Sequence, residues 1–240
     1  PHTTVYLQNT YNICEKSIDI SWSHYMGFPE AVDKYEVIVS IAGSPFEVIA
    51  TLEETVNTYT HTDISYDADY CYYIRAISNY DSIYYSNETC RFTQRPSEAA
   101  FHYLASASYN LSDEIELLCY TDGTASVQAY EVEVKGPNDT DFSLLTTLTP
   151  NGTNFISYND GAVFPNLGSY QYRINLIDSC GNVGFVTNIA RTIFLEVTTD
   201  QVEMMNVLSW SSYQGFDGNI VQYKIYRGVN GVFDSTPIGT

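Results

Sequence analysis

Positive charge is what this sequence most lacks. Ten Lys and Arg stand against 29 Asp and Glu in 240 residues, a formal net charge of −19. A surface so acidic repels nucleic acid, whose binding rests on neutralised phosphates, and it repels anionic lipid for the same reason. Long apolar runs are missing as well. No stretch of eighteen apolar residues occurs, so no helix long and apolar enough to cross a bilayer is expected, and with it no direct membrane insertion. No signal-peptide pattern is visible at Pro1, so export would imply that such a segment has been removed. Helical periodicity is hard to find anywhere. Trp is down to 2, although Tyr reaches 22.

The usual marks of a reactive centre are also missing. The four histidines, His2, His24, His61 and His102, are scattered, and His61 in "YTHTDI" reads as an exposed strand residue. None of the five cysteines forms a CxxC pair or has a nearby His, which excludes a zinc site of ordinary spacing. There is no phosphate-cradling Gly loop, no Ser elbow and no catalytic Cys context. Glu53-Glu54 and Asp113-Glu114 are adjacent carboxylates, which point opposite ways in a strand, so they read as solvated turns rather than an acid–base pair. Calcium demands a loop of alternating oxygen ligands with a Gly turn. Asp67-Ala68-Asp69 and Asn138-Asp139-Thr140-Asp141 come nearest, and both read as turns. The expectation is therefore no catalytic residue, no metal and no cofactor.

What is present is alternation. "SIDISW", "YEVIVS", "FEVIATL", "YCYYIRAIS", "IELLCY", "YEVEVK" and "YQYRINLI" alternate apolar and polar residues, and each is followed by Gly, Pro, Asn or Asp. Many short strands at spacings near ten residues indicate an all-β antiparallel sandwich. The phrases also repeat. "SWSHYMGF" from Ser21 returns as "SWSSYQGF" from Ser209, an offset of 188 from Trp22 to Trp210. Thr4-Val5-Tyr6-Leu7 lies over Thr192-Ile193-Phe194-Leu195 at the same offset, and Tyr35 over Tyr223. A second likeness, at offsets near 100, relates Tyr35-Glu-Val-Ile-Val to Tyr130-Glu-Val-Glu-Val and Tyr70-Cys-Tyr-Tyr-Ile to Tyr170-Gln-Tyr-Arg-Ile. Fixed offsets of this length mean tandem domains. Pro96-Ser97-Glu98 reads as a boundary. Domains are expected at residues 1–95 and 96–190, with the N-terminal part of a third at 191–240.

These residues resemble the fibronectin type III family. Its strand B carries apolar-x-apolar-x-Trp, matched by Ile18, Ile20 and Trp22, and its strand F carries an aliphatic residue six places before a Tyr, matched by Ile64, Tyr70, Tyr72, Ile74 and Ala76. Tyr170, Tyr172, Ile174 and Leu176 repeat the frame, while Cys119 stands where the second strand B would have Trp. The resemblance implies two complete immunoglobulin-like sandwiches and one partial one, with Trp22, Tyr70, Tyr170 and Trp210 as core signature residues. "SWSHYMGFPEAVDKYEV" and "DSCGN" further resemble the tandem modules of Bacteroidetes gliding-motility-associated, type IX-secreted surface proteins, whose separate sorting domain is not found in these residues. "WSSY" resembles the membrane-proximal signature of animal cytokine receptors, but its Trp falls in strand B as core, which argues against that reading. Asn87, Asn110, Asn138 and Asn151 begin N-x-S/T sequons. Asp81-Ser82-Ile83 and Asp234-Ser235-Thr236 resemble the short O-glycosylation motif of Bacteroidetes.

Within that frame Tyr70, Tyr72 and Ile74 share one parity, so Cys71 faces outward. A hairpin centred between Tyr80 and Asp81 places it opposite Cys90, a spacing that suits a cross-strand disulfide. Cys14 is the competitor for either partner. Cys119 and Cys180 fall near one end of the second domain. They either bridge, or Cys119 stays a buried free thiol, and Cys14 is then left over.

Function follows only coarsely from fold. The expected chain is a non-enzymatic extracellular segment of a longer surface protein, a stalk, spacer or adhesin. Its partners are other modules of the same chain, with secretion or cell-surface machinery, a polysaccharide or a protein ligand as further partners and no nucleic acid. The alternative is a set of accessory modules of a secreted glycoside hydrolase or protease whose catalytic domain lies outside this chain. The third copy stops before the equivalents of Ile64, Tyr70, Tyr72, Ile74 and Ala76, so Trp210 and Val207 are expected to expose an inner face, with an F-like segment to follow Thr240.

Overall fold

The computed structural model describes residues 3–26, 31–215 and 220–240. His2 lies outside the described residues, as do the ends of the two repeated phrases at Gly27, Phe28 and Phe216. The chain forms two compact units, Pro1–Ser97 and Glu98–Thr240. Among the described residues every regular element is a strand.

In the first unit the strands are β1 (Leu7–Asn12), β2 (Ser17–Trp22), β3 (Val32–Ile41), β4 (Glu47–Glu53), β5 (Thr58–His61), β6 (Asp69–Ser78), β7 (Ile83–Tyr85) and β8 (Thr89–Phe92). One sheet has the order β1-β2-β5 and the other β4-β3-β6-β7, with β8 also paired to β6. The alternation seen in sequence decides which side chains meet. β2 turns Ile18, Ile20 and Trp22 inward, and β6 turns Tyr70, Tyr72, Ile74 and Ala76 inward, all in one buried cluster with Leu7, Tyr35 and Val37. Burying one such large apolar side chain is worth roughly 1.5–3 kcal/mol, so a run of alternate residues from each sheet outweighs the weak intrinsic preference of any single one.

The second unit begins with the same plan. Its strands are β9 (His102–Tyr109), β10 (Ile115–Thr121), β11 (Val127–Lys135), β12 (Ser143–Leu148), β13 (Phe155–Asp160), β14 (Gln171–Asp178), β15 (Val183–Val186) and β16 (Ala190–Arg191). Sheet β9-β10-β13 packs on sheet β12-β11-β14-β15, and β16 pairs with β14. Register Val37↔Ile74 in the first sandwich answers Val132↔Ile174 in the second. The protein is thus an all-β tandem of fibronectin type III-like sandwiches.

After β16 come two hairpins, β17 (Leu195–Asp200) with β18 (Met205–Trp210), and β19 (Gly228–Val229) with β20 (Val232–Phe233). They reproduce the first sandwich at the 188-residue offset in detail. Leu7↔Trp22 becomes Leu195↔Trp210. Asn12 caps its turn by accepting from the amides of Cys14 and Glu15, and Asp200 caps the equivalent turn by accepting from Val202 and Glu203. Lys16 and Met204 hold positive φ at matched places, as do Ala42-Gly43 and Asn230-Gly231. Two consecutive positive φ values define a tight hairpin turn that Asn-Gly suits best. The Tyr25 amide donates to the Tyr35 hydroxyl at 3.0 Å, and the Tyr213 amide to the Tyr223 hydroxyl at 3.1 Å. Trp210 nevertheless is 37% exposed, against 3% for Trp22, because no second sheet stands over it among the described residues. Val207 is also exposed, but its parity is that of Asp19, so it faces away from the inner side that Trp210 and Leu208 share.

Candidate functional site

The groups with chemical potential are the cysteines, the buried histidines and a few buried polar side chains. Cys71 and Cys90 stand directly opposite in the β6–β8 ladder and are joined by a disulfide, with a Cα–Cα distance of 4.0 Å. The hairpin between them is not uniform. β6 pairs first with β7, and the register then slips by one residue before β8. Asp81, at positive φ, turns the chain. Cys119 is a buried free thiol, which excludes the bridge to Cys180. Cys14 is disulfide-bonded and so is not the leftover thiol, and Cys180 is disulfide-bonded too. Glu88 lies close to Cys71 and Cys90 in a grouping of metal-binding type, but both sulfurs are spent in the disulfide.

Cys119 takes the place of Trp22 in the second sandwich, and the lost volume is recovered from another strand. His102, on β9, is 3% exposed and stacks on Tyr130 with ring centroids 5.7 Å apart. Trp22 stands over Tyr35 at the same 5.7 Å in the first sandwich. The imidazole is held by polar partners as well. Nε2 donates to the Ile174 carbonyl at 3.2 Å, which leaves Nδ1 to accept from the Thr121 hydroxyl at 3.2 Å, with the Cys119 Sγ at 3.7 Å. Burial drives the His102 pKa down to about 4, against the opposing pull of the Ile174 carbonyl. The same burial pushes the Cys119 thiol up to about 12. A nucleophilic Cys–His pair needs a thiolate and a basic or charged imidazole. Here both partners are held neutral, and the pair fills a core.

Each sandwich also has a central Tyr whose hydroxyl is met from the fifth-strand position. In the first, Tyr72 shares a 2.8 Å hydrogen bond with His61 Nδ1. In the second, the Tyr172 hydroxyl donates to Asp160 Oδ2 at 2.9 Å. His61 is therefore half-buried under Tyr72 rather than exposed, and burial lowers its pKa, partly offset by Glu47. Burial raises both phenol pKa values. Tyr70 and Tyr170 make the corner hydrogen bonds of the fold, accepting from the amides of Ser65 at 2.8 Å and Phe164 at 3.0 Å. Of the carboxylates weighed as sites, Glu53 ends β4 and Asp69 begins β6, so these two are strand-end residues rather than turns, while Asp67, Asp113 and Asp139 lie in turns. Asp67 sits at positive φ and pairs with Arg95 at 3.4 Å; Asp113 also has positive φ; and Asp139 accepts from the Gly136 amide.

One device is not evident from the motifs read in sequence. Asn87 Oδ1 accepts from the Leu7 amide at 2.8 Å while its Nδ2 donates to the Leu7 carbonyl at 3.1 Å. Asn188 does the same to Leu104, at 3.0 Å each way. A side-chain amide thus stands in for a neighbouring strand and satisfies one residue of each exposed sheet edge. The residue before it breaks the ladder, since Ser86 and Thr187 each accept the Ile74 or Ile174 amide on their hydroxyl oxygen. The signal in sequence is the pair Ser86-Asn87 and Thr187-Asn188. Read as a sequon, Asn87 points to a sugar; in the structure its amide is engaged in the fold.

No family model matches the chain, and no curated protein matches it. Solved structures do. The fibronectin(III)-like modules of CbhA from Clostridium thermocellum align at 13% identity over 74% of this chain and 84% of theirs, TM-score 0.38. A two-domain fibronectin type-III segment of chicken tenascin aligns at 9% identity over 79% of this chain and 96% of its own, TM-score 0.30. The pectate lyase PelI from Erwinia chrysanthemi aligns at 20% identity over 37% of this chain, TM-score 0.32, and the match spans only 28% of that enzyme.

Proposed function

We propose that the chain is a non-enzymatic extracellular segment of a longer modular surface protein and acts as a stalk or spacer that can also serve adhesion. One observation carries this reading. The side chains an enzyme would use are built into the closure of each sandwich: His102 and Cys119 replace an indole, and Asp160 and His61 anchor a central phenol. A disulfide across β6 and β8 suits an oxidising compartment. The finer assignment, to a type IX secretion cargo of a gliding or adhesive Bacteroidetes cell, rests on the sequence resemblance. Its partners would be neighbouring modules, the export machinery and a surface polysaccharide or protein.

The test has two arms. Protease shaving of intact cells should release this segment, and loss of the type IX machinery should retain it inside; export that persists unchanged refutes the secretion assignment. Reading the full gene tests the rest. A glycoside hydrolase or protease domain elsewhere would make these modules accessories of an enzyme.

A further inference from the structure

The outer side of the first sandwich carries a row of aromatic rings that its core does not use. Phe46 stands just before β4, Tyr73 on β6 and Tyr85 on β7. The ring centroids of Phe46 and Tyr73 are 5.0 Å apart, and those of Tyr73 and Tyr85 are 5.9 Å apart. Phe46 is 43% exposed and Tyr85 59%. Ile38 shares their outward parity, between Val48 of β4 and Tyr73 of β6, and is only 2% exposed. The row thus rests on an apolar base. Both sheets of this sandwich are in place, and the row lies on the side away from its core, so no missing strand accounts for the exposure.

The fold itself does not require such a row. Since Val37↔Ile74 answers Val132↔Ile174, Ile38↔Tyr73 answers Glu133↔Arg173. The second sandwich therefore has an ion pair where the first has an aliphatic side chain and a ring. Its Arg173 guanidinium also covers Phe142, the counterpart of Phe46, at 4.4 Å. In place of Tyr85, opposite Arg75, it has Val186 opposite Asn175. One sandwich closes this surface with charge, and the other leaves three rings in water. An exposed apolar patch with a polar rim marks an interaction site.

The rim narrows the ligand. Nε and Nη2 of Arg75 both donate to Oε2 of Glu36, which leaves the other carboxylate oxygen and the Nη1 donors outside that pair. Lys34, further along the same side, lies opposite Glu53. The cations here are thus each matched by a carboxylate, so the row holds no surplus charge for an anion. A second copy, at −19 like the first, is repelled. What fits is an uncharged molecule with an apolar face for the rings and hydroxyls that both donate and accept at its edge. A pyranose has that two-sided character, with C–H bonds on its faces and hydroxyls around its rim. A row of three rings offers a stacking surface to successive sugars of one chain.

We propose that the row Phe46–Tyr73–Tyr85 binds an uncharged polysaccharide, with sugar rings stacked on the aromatic side chains and hydroxyls hydrogen-bonded to Glu36 and Arg75. Such binding deepens the adhesive reading of the segment and rests on it, but it is measured on the isolated chain, so its failure leaves the export and gene results untouched.

Native affinity electrophoresis of the 240-residue chain, in gels cast with dextran, mannan or a soluble β-glucan, reads the binding, with alginate as the polyanion control. Retardation by at least one of the three neutral polymers is expected, and none by alginate. Tyr85→Ala, at an exposed ring, should bind about tenfold more weakly, the effect of truncating an interface anchor. The double change Ile38→Glu with Tyr73→Arg installs the ion pair of the second sandwich on the same frame, so it should fold and lose the retardation. No retardation in any neutral gel overturns the proposal, as does equal retardation of the wild type and both variants. Retardation by alginate alone overturns it too. Sedimentation showing self-association that Tyr85→Ala abolishes would make a second copy the occupant and likewise overturn it.

Discussion

His102 shows how far one side chain can depart from its ordinary chemistry. Its imidazole is neutral in the folded state, with a pKa of about 4, whereas an unfolded histidine titrates near 6.5. The unfolded chain therefore takes up the proton first. Stability is intact above pH ~6.5 and falls as pH drops from there to about 4. A shift of this size amounts to about 3 kcal/mol. Urea melts of wild type and His102→Phe should diverge across that window and run parallel above it. If the difference does not change with pH, His102 titrates alike in the folded and unfolded chains and is not held neutral by burial. His61 adds a change of the same sign through its own lowered pKa. Cys119, pushed up to about 12, should resist a thiol reagent at pH 8 in the native protein and react once per chain in guanidinium, since it is the free cysteine of the chain. Rapid labelling of the native protein would contradict its burial.

The elements show which parts of the fold were legible. Strand alternation, with its period of two, located β2, β3, β6 and β14, because each has one side on a core. The same parity set Cys71 outward and opposite Cys90. The Cys119 hollow was visible in sequence, but its filling was not. His102 sits on the first strand of its sandwich, seventeen residues earlier, and nothing local marks it as a surrogate for Trp. The Asn87 and Asn188 clamps were hidden for a related reason: their partners, Leu7 and Leu104, lie 80 and 84 residues away. Asn188→Ala removes one donor and one acceptor from a strand edge, and should cost about 1–3 kcal/mol in chemical denaturation. Asn188→Asp should fail to rescue it, because a carboxylate cannot donate to the Leu104 carbonyl. Cys71→Ser should cost about 3 kcal/mol, the value expected for closing a loop of this size. No loss of stability in that variant would mean the bond constrains little in the unfolded chain.

The whole molecule is governed by its charge and its repetition. At −19, it should give no mobility shift with duplex DNA at moderate salt, and a clear shift would require a basic surface that composition denies. Repetition carries a hazard of its own. Tandem modules of one fold can exchange strands while they emerge from the ribosome, a characteristic failure of repeat proteins. The first and third modules share an indole-over-phenol core and would exchange most readily, but the second lies between them in the chain. That middle module builds the same hollow from a histidine and a cysteine. A strand carrying Cys119 into a neighbour would leave an indole-sized void, and large-to-small changes of that kind cost several kcal/mol. The His102–Cys119 substitution thus makes such an exchange between adjacent modules costly.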